Sequence, residues 1–177
     1  MKTRFQQATH GLAVLCVTGW AGAAMAATAV SPICDAAARV VCPSGSLTGA
    51  LEISNDTCNT WNHRAMLSGA YAYRYFGGCA NSCTGNSCNG GAGNYYTVTG
   101  SSGWDFRQIH FNSNVSSGSK TCDRCSLGLI GATGSASFAH SHSENRQYGT
   151  RKTAWFAASV SCGATVSCTN PVGYPTL

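Results

Sequence analysis

The fold class predicted by this chain is mostly β: a disulfide-stabilised antiparallel sandwich or barrel with one short N-terminal helix. Three observations predict it. The 177 residues include eleven cysteines. Short alternating segments recur between turns rich in Gly, Ser and Asn. No ten-residue helical period separates those segments, which argues against a parallel α/β arrangement.

The first element is an export signal. Lys2 and Arg4 form a basic start, residues 11–24 carry no charge and are mostly apolar, and Ala24-Met25-Ala26 places small residues where a signal peptidase reads them. This apolar run is shorter than the roughly twenty residues needed to span a bilayer. Residues 1–26 are therefore expected to be removed after Ala26, with Ala29 as the second choice. Cys16 would leave with them. Leu15 stands where a lipoprotein signal would need a small residue, so no lipid anchor is expected. The remaining chain, residues 27–177, is long enough for one domain with a real core. No later segment approaches membrane-spanning length.

Ten cysteines remain: Cys34, Cys42, Cys58, Cys79, Cys83, Cys88, Cys122, Cys125, Cys162 and Cys168. An even number in an exported chain predicts five disulfides and a secreted or periplasmic location. Connectivity cannot be read from spacing, although Cys34 with Cys42 and Cys162 with Cys168 are local candidates across short turns.

Residues 33–41 have the best helix propensity and supply the predicted short helix. Residues 47–54 read as a strand, and residues 59–67 as either helix or loop. Residues 68–76 alternate strictly, with Tyr71, Tyr73 and Tyr75 on one face. Residues 77–94 hold six glycines and three cysteines, a composition for a long loop pinned by disulfides. Strands are expected again at 95–99, 105–112, 126–130, 135–144, 153–162 and 165–168.

Charge narrows the function classes. Removing Lys2 and Arg4 with the signal takes the net charge from +5 to +3, spread along the chain. A diffuse +3 does not make the dense basic stripe of a nucleic-acid binder. No G-x-S-x-G elbow, H-E-x-x-H helix, phosphate-binding loop or dinucleotide fingerprint is present.

Three segments carry candidate chemistry. In an extended 135–144, Phe138, His140, His142 and Glu144 share one face, with Ser141 and Ser143 on the other. Two imidazoles and a carboxylate can do acid–base work, with Arg146 holding an anion. Alternatively, His140 and His142 can ligate zinc or copper, completed by His110 or another group. A hydrated edge strand is the plainest alternative. In residues 104–111 the alternation groups Phe106, Gln108 and His110, with Asp105, Arg107, Ile109 and Phe111 opposite. Arg107 is expected to pair with Asp105 while the aromatics build core. Tyr71, Tyr73 and Tyr75 can stack sugar rings if exposed, or pack inward. Cys122-Asp123-Arg124-Cys125 has redox-motif spacing, but no helix follows to lower a thiol pKa, so a structural bridge is expected.

The leading expectation is a protein that binds an extracellular glycan, cell-surface component or protein, without a cofactor. The alternatives are a small secreted hydrolase or nuclease-type toxin using His140, His142, Glu144, Arg146 and His110, and a periplasmic metal-binding protein. The deciding observation is whether His110, His140, His142 and Glu144 converge.

Overall fold

A computed structural model of the protein describes residues 23–60, 62–114 and 118–177. The expected signal segment lies outside the described residues as far as residue 22. From there the chain is paired: Met25 N–H donates to the Leu177 carbonyl and Ala27 N–H to that of Pro175, at 2.9 and 2.7 Å.

The strands, in chain order, are β1 (Ala29–Val30), β2 (Arg39–Val41), β3 (Ala50–Ser54), β4 (Asn62–Arg64), β5 (Tyr71–Phe76) and β6 (Asn94–Thr99). They continue with β7 (Trp104–Asn114), β8 (Lys120–Cys122), β9 (Ser126–Ile130), β10 (Ser141–Gln147), β11 (Thr150–Arg151) and β12 (Pro171–Gly173). All pair antiparallel. β1 and β12 form a separate ribbon; the rest form one ten-stranded sheet that does not close into a barrel, running β2-β3-β10-β7-β6-β5-β8 with β11, β9 and β4 branching from it.

β7 organises this sheet. One of its edges pairs with β6. Its other edge pairs with β10 as far as Ile109, then with β9 from Phe111 onward. His110 sits at the exchange of partners. Its φ is +70°, a left-handed conformation that no other non-glycine residue adopts inside a described strand. That conformation costs a residue with a Cβ about 1 kcal/mol or more. The bulge also breaks the period of two. Gln108 and Phe106 face the core, while His110 turns out beside Arg107 and Ile109 into a cleft on the opposite face. The grouping of His110 with Phe106 and Gln108 is thereby corrected, because alternation holds only while the strand is unbroken.

The core lies between the sheet and the segments crossing it. Leu51, Ile53, Tyr96, Val98, Phe106 and Phe111 meet Met66, Leu67, Leu127 and Trp155 there. Ser141 and Ser143, on the inward face of β10, bond to His63 and to the Met66 sulfur, at 2.7 and 2.8 Å.

The short N-terminal helix is not formed. Asp35 accepts from Ala37 and Ala38 in a single turn, and the β-branched Val40 and Val41 then join β2 against β3. Pairing outweighs propensity for so short a segment. The only helical turn among the described residues is 3-10, Cys88–Gly91. Residues 153–162 and 165–168 contribute isolated bridges in place of strands, and 135–140 is turn.

The ten described cysteines are all paired: Cys34–Cys168 and Cys42–Cys162 join the two ends of the chain, while Cys58–Cys83, Cys79–Cys88 and Cys122–Cys125 are more local. The local candidates are corrected because the N-terminal and C-terminal segments lie side by side, with Val40 and Ala38 bonded to residues 163–166. Cys122–Cys125 is structural. Between its cysteines Arg124 donates to carbonyls of Val30, Ser31, Ala65, Met66 and Cys168, tying these segments to the turn between β8 and β9.

Candidate metal centre

Three histidines come together, His110 from β7, His142 from β10 and His140 from the residue just before β10. His142 lies in β10, opposite Ile109 of β7 and Glu52 of β3. His140 precedes it by two residues and so shares its side, and the bulge swings His110 to meet both. The ring centroids are 5.1 Å apart for His110 and His140, 5.3 Å for His110 and His142, and 5.9 Å for His140 and His142. One ligating atom from each lies within 4.8 Å of the others. All three rings are buried at the floor of a cleft of about 490 Å³.

Hydrogen bonds fix two of the tautomers. His110 Nδ1 is 2.7 Å from the Thr133 carbonyl oxygen, and His140 Nδ1 is 2.9 Å from that of Phe138. A carbonyl can only accept, so each Nδ1 carries the proton and each Nε2 keeps its lone pair. The His140 Nε2 is buried without a hydrogen-bond partner, as is Oε2 of Glu52. Burial pushes His110 down to about 3, aided by the charges of His140 and His142, and it lowers His140 as well. Both rings are neutral in neutral solution.

His142 is different. Its Nε2 is 3.0 Å from Glu144 Oε1 and its Nδ1 is 3.1 Å from Glu52 Oε1. Burial alone would lower its pKa, but the two carboxylates outweigh burial and raise it. Burial would raise Glu52 and Glu144, but the histidines prevail in Glu52, and His142 with Arg151 and Arg146 prevails in Glu144; both carboxyls titrate below their usual range. Glu144 also pairs with Arg151 and, at 3.8 Å, with Arg146.

Close backbone packing fixes the segment that carries Thr133. A Cβ on Gly93 would lie 2.2 Å from the Thr133 carbonyl oxygen, and one on Gly134 would lie 2.3 Å from that of Gly91. Both glycines have positive φ. This contact holds Thr133 where His110 can donate to it. Nearby, the Asn94 amide bonds Cys79, Phe111 and Asn112, anchoring the start of the 77–94 loop.

His110, His140, His142, Glu144 and Arg146 all line the same cleft. Arg107 pairs with Asp105 at 2.9 Å, as expected, yet also lines it. The tyrosine face is not an open platform. Tyr73 is buried with its hydroxyl accepting from Leu67 N–H, and Tyr71 and Tyr75 pack partly buried against the core. Glu52, Arg151 and Thr133 were not singled out by the sequence. The available signal for Glu52 was a lone carboxylate in the otherwise apolar run Ala50-Leu51-Glu52-Ile53.

No protein-family model and no curated protein matches the chain. Among solved structures it is similar to a zinc-containing peptidase from Vibrio cholerae, with 16% identity and a TM-score of 0.45, over 71% of this chain and 39% of that one. The chain thus spans about two fifths of that protein's length.

Proposed function

We propose that the protein is a metal-dependent hydrolase of the extracytoplasmic space, with a single zinc ion held by His110, His140 and His142. The observation that carries this reading is the buried His triad, two of whose rings are neutral with free Nε2 lone pairs. Nitrogen and carboxylate donors suit zinc, and three protein ligands leave the open position that a catalytic ion keeps. His142 would ligate by losing a proton and releasing the Glu52 carboxylate from Nδ1, while Glu144 on Nε2 holds the ring, the usual support for a metal-bound imidazole. Thr133 and Phe138 give His110 and His140 the same support through their carbonyls.

A bound zinc ion supplies Lewis-acid activation of water and of a carbonyl. Glu52, ionised and with an unpartnered oxygen, is the group placed to take a proton from the attacking water. Glu144 stays clamped by Arg151 and steadies His142. The cleft lining includes the small residues Gly90, Gly91, Ala92, Ser135 and Ser137, which would leave room for an extended peptide. A peptide amide is therefore the bond we assign. The export-like N-terminus, five disulfides and the absence, among the described residues, of any helix long and apolar enough to cross a membrane support an extracytoplasmic setting.

The test uses zinc-loaded, oxidised protein and a reduced, alkylated protein substrate, with new termini read by mass spectrometry. Cleavage should stop with chelator and return with zinc. Glu52→Gln should retain one zinc per chain and lose at least a hundredfold in rate. Stoichiometric zinc with no cleavage would overturn the hydrolase reading.

A further inference from the structure

The two sides of the cleft carry different charge. Register places side chains in rows across β3, β10, β7 and β11. The first row is Glu52, His142 and Ile109; the second holds Glu144 opposite Arg107; the third holds Arg146 between Arg151 and Asp105. Strand rise puts successive rows on one face about 7 Å apart. Moving from the histidines along β10, the cleft thus passes into a band of three arginines, all lining it.

This band is not neutralised. Arg107, Arg146 and Arg151 share only Glu144 and Asp105 as carboxylate partners among the described contacts. One positive charge is left over. The Arg107 and Arg146 side chains are largely covered, whereas Arg151 is half exposed while it pairs with Glu144. Guanidinium groups bind carboxylates through paired N–H donors, and partial burial strengthens the contact.

We infer that this arginine band binds a carboxylate of the substrate, one or two strand rows from the histidine centre. The inference rests on the hydrolase reading for the word substrate, while the carboxylate site stands on the arginines. A single excess charge suits a monoanion, and Glu144 within the band disfavours a dianionic phosphate. An extended peptide advances about 3.4 Å per residue, so the recognised carboxylate lies some two to four residues from the bond at the histidines. It is either the C-terminal carboxylate or an acidic side chain.

Three probes separate these sources: acetyl-Ala-Ala, acetyl-Ala-Ala-amide and acetyl-Ala-Glu-amide. Binding is followed by amide chemical shifts of the full oxidised chain, with and without zinc. Acetyl-Ala-Ala should bind at least tenfold more tightly than its amide, with shifts at Arg146–Arg151. Tighter binding of acetyl-Ala-Glu-amide instead would assign the band to an acidic side chain and equally support a carboxylate site. Arg151→Gln should abolish the preference while keeping the thermal transition; Arg107→Gln provides the same readout should Arg151→Gln be unstable. Equal binding of acids and amide, no binding of any probe, or a preference surviving both variants would overturn the inference. Carboxylate preference in a protein that fails to bind zinc would sink the metal reading alone. Zinc binding without carboxylate preference would sink this inference alone.

Discussion

His63 and His140 are both buried beside β10 on opposite faces of the sheet, and their surroundings make them different residues. His63 stacks on Phe111 with centroids 3.9 Å apart. Its Nε2 faces the Ser141 hydroxyl at 2.7 Å and the Gln108 amide nitrogen at 3.2 Å. Gln108 Oε1 accepts from Met66 N–H and its nitrogen donates to the Arg64 carbonyl, so that amide can only donate to His63. The His63 lone pair is therefore occupied, and the unpartnered atom is Nδ1, an N–H enclosed in the core. In His140 the assignment is reversed. Its N–H is occupied by Phe138, and the unpartnered atom is a lone pair beside two further imidazoles. Burial and a lowered pKa are common to both. What distinguishes the two rings is which nitrogen is left over and what surrounds it.

The largest effect that could break this comparison is on stability. His63→Ala removes a fully buried ring, its stack and its bonds to Ser141 and Gln108, and should cost about 3 kcal/mol. Chemical denaturation of the metal-free protein measures it. Zinc affinity of the folded fraction should be unchanged, and a variant of wild-type stability would show that His63 is not a packing residue.

The pH dependence comes next. The His63 pKa is pushed down to about 3, chiefly by burial, against about 6.5 in the unfolded chain. The folded state keeps this ring neutral while the unfolded state takes up a proton, so its contribution is complete above pH 6.5. It is lost as pH falls toward 3, at roughly 1.4 kcal/mol per pH unit. His142 has the opposite sign, since its raised pKa stabilises the metal-free fold below pH 6.5 and ceases to do so as pH rises through the folded value. Thermal transitions of metal-free wild type and His63→Gln between pH 4 and 8 separate them. A wild-type slope identical to that of the variant would contradict the assignment to His63.

The smallest stability effect is expected at His140. His140→Ala loses ring contacts but also removes a buried nitrogen with no partner, so the metal-free protein should change by about 1 kcal/mol or less. A loss as large as that of His63→Ala would mean that His140 is holding the core.

The sequence made the histidine strand legible because β10 is regular, and a period of two is a local property. His142 and Glu144 share a face for that reason, and His140 continues the alternation although it stands just ahead of the strand. His110 joined them only through a bulge, and a left-handed residue inside a strand leaves no trace in alternation. Glu52 and Arg151 arrive by pairing with β10 across the sheet, a non-local event that local pattern does not specify. The same limit applies to the disulfides. The count of cysteines implied five bridges, while the pairing of Cys34 with Cys168 and Cys42 with Cys162 depended on the ends of the chain meeting. The tyrosine alternation was also real, but alternation does not state which side is inward. Tyr73 in the core settles that.

On the proposed reading, the unpartnered nitrogen of His140 belongs to a metal site. Calorimetric titration of zinc into the metal-free, oxidised protein tests it most directly, with His140→Ala, His142→Ala and His63→Gln in parallel. The account predicts one ion per chain for wild type and His63→Gln, and affinity weakened at least a hundredfold in both His140→Ala and His142→Ala. No saturable zinc binding by wild type, or binding that survives both cleft variants, would contradict it.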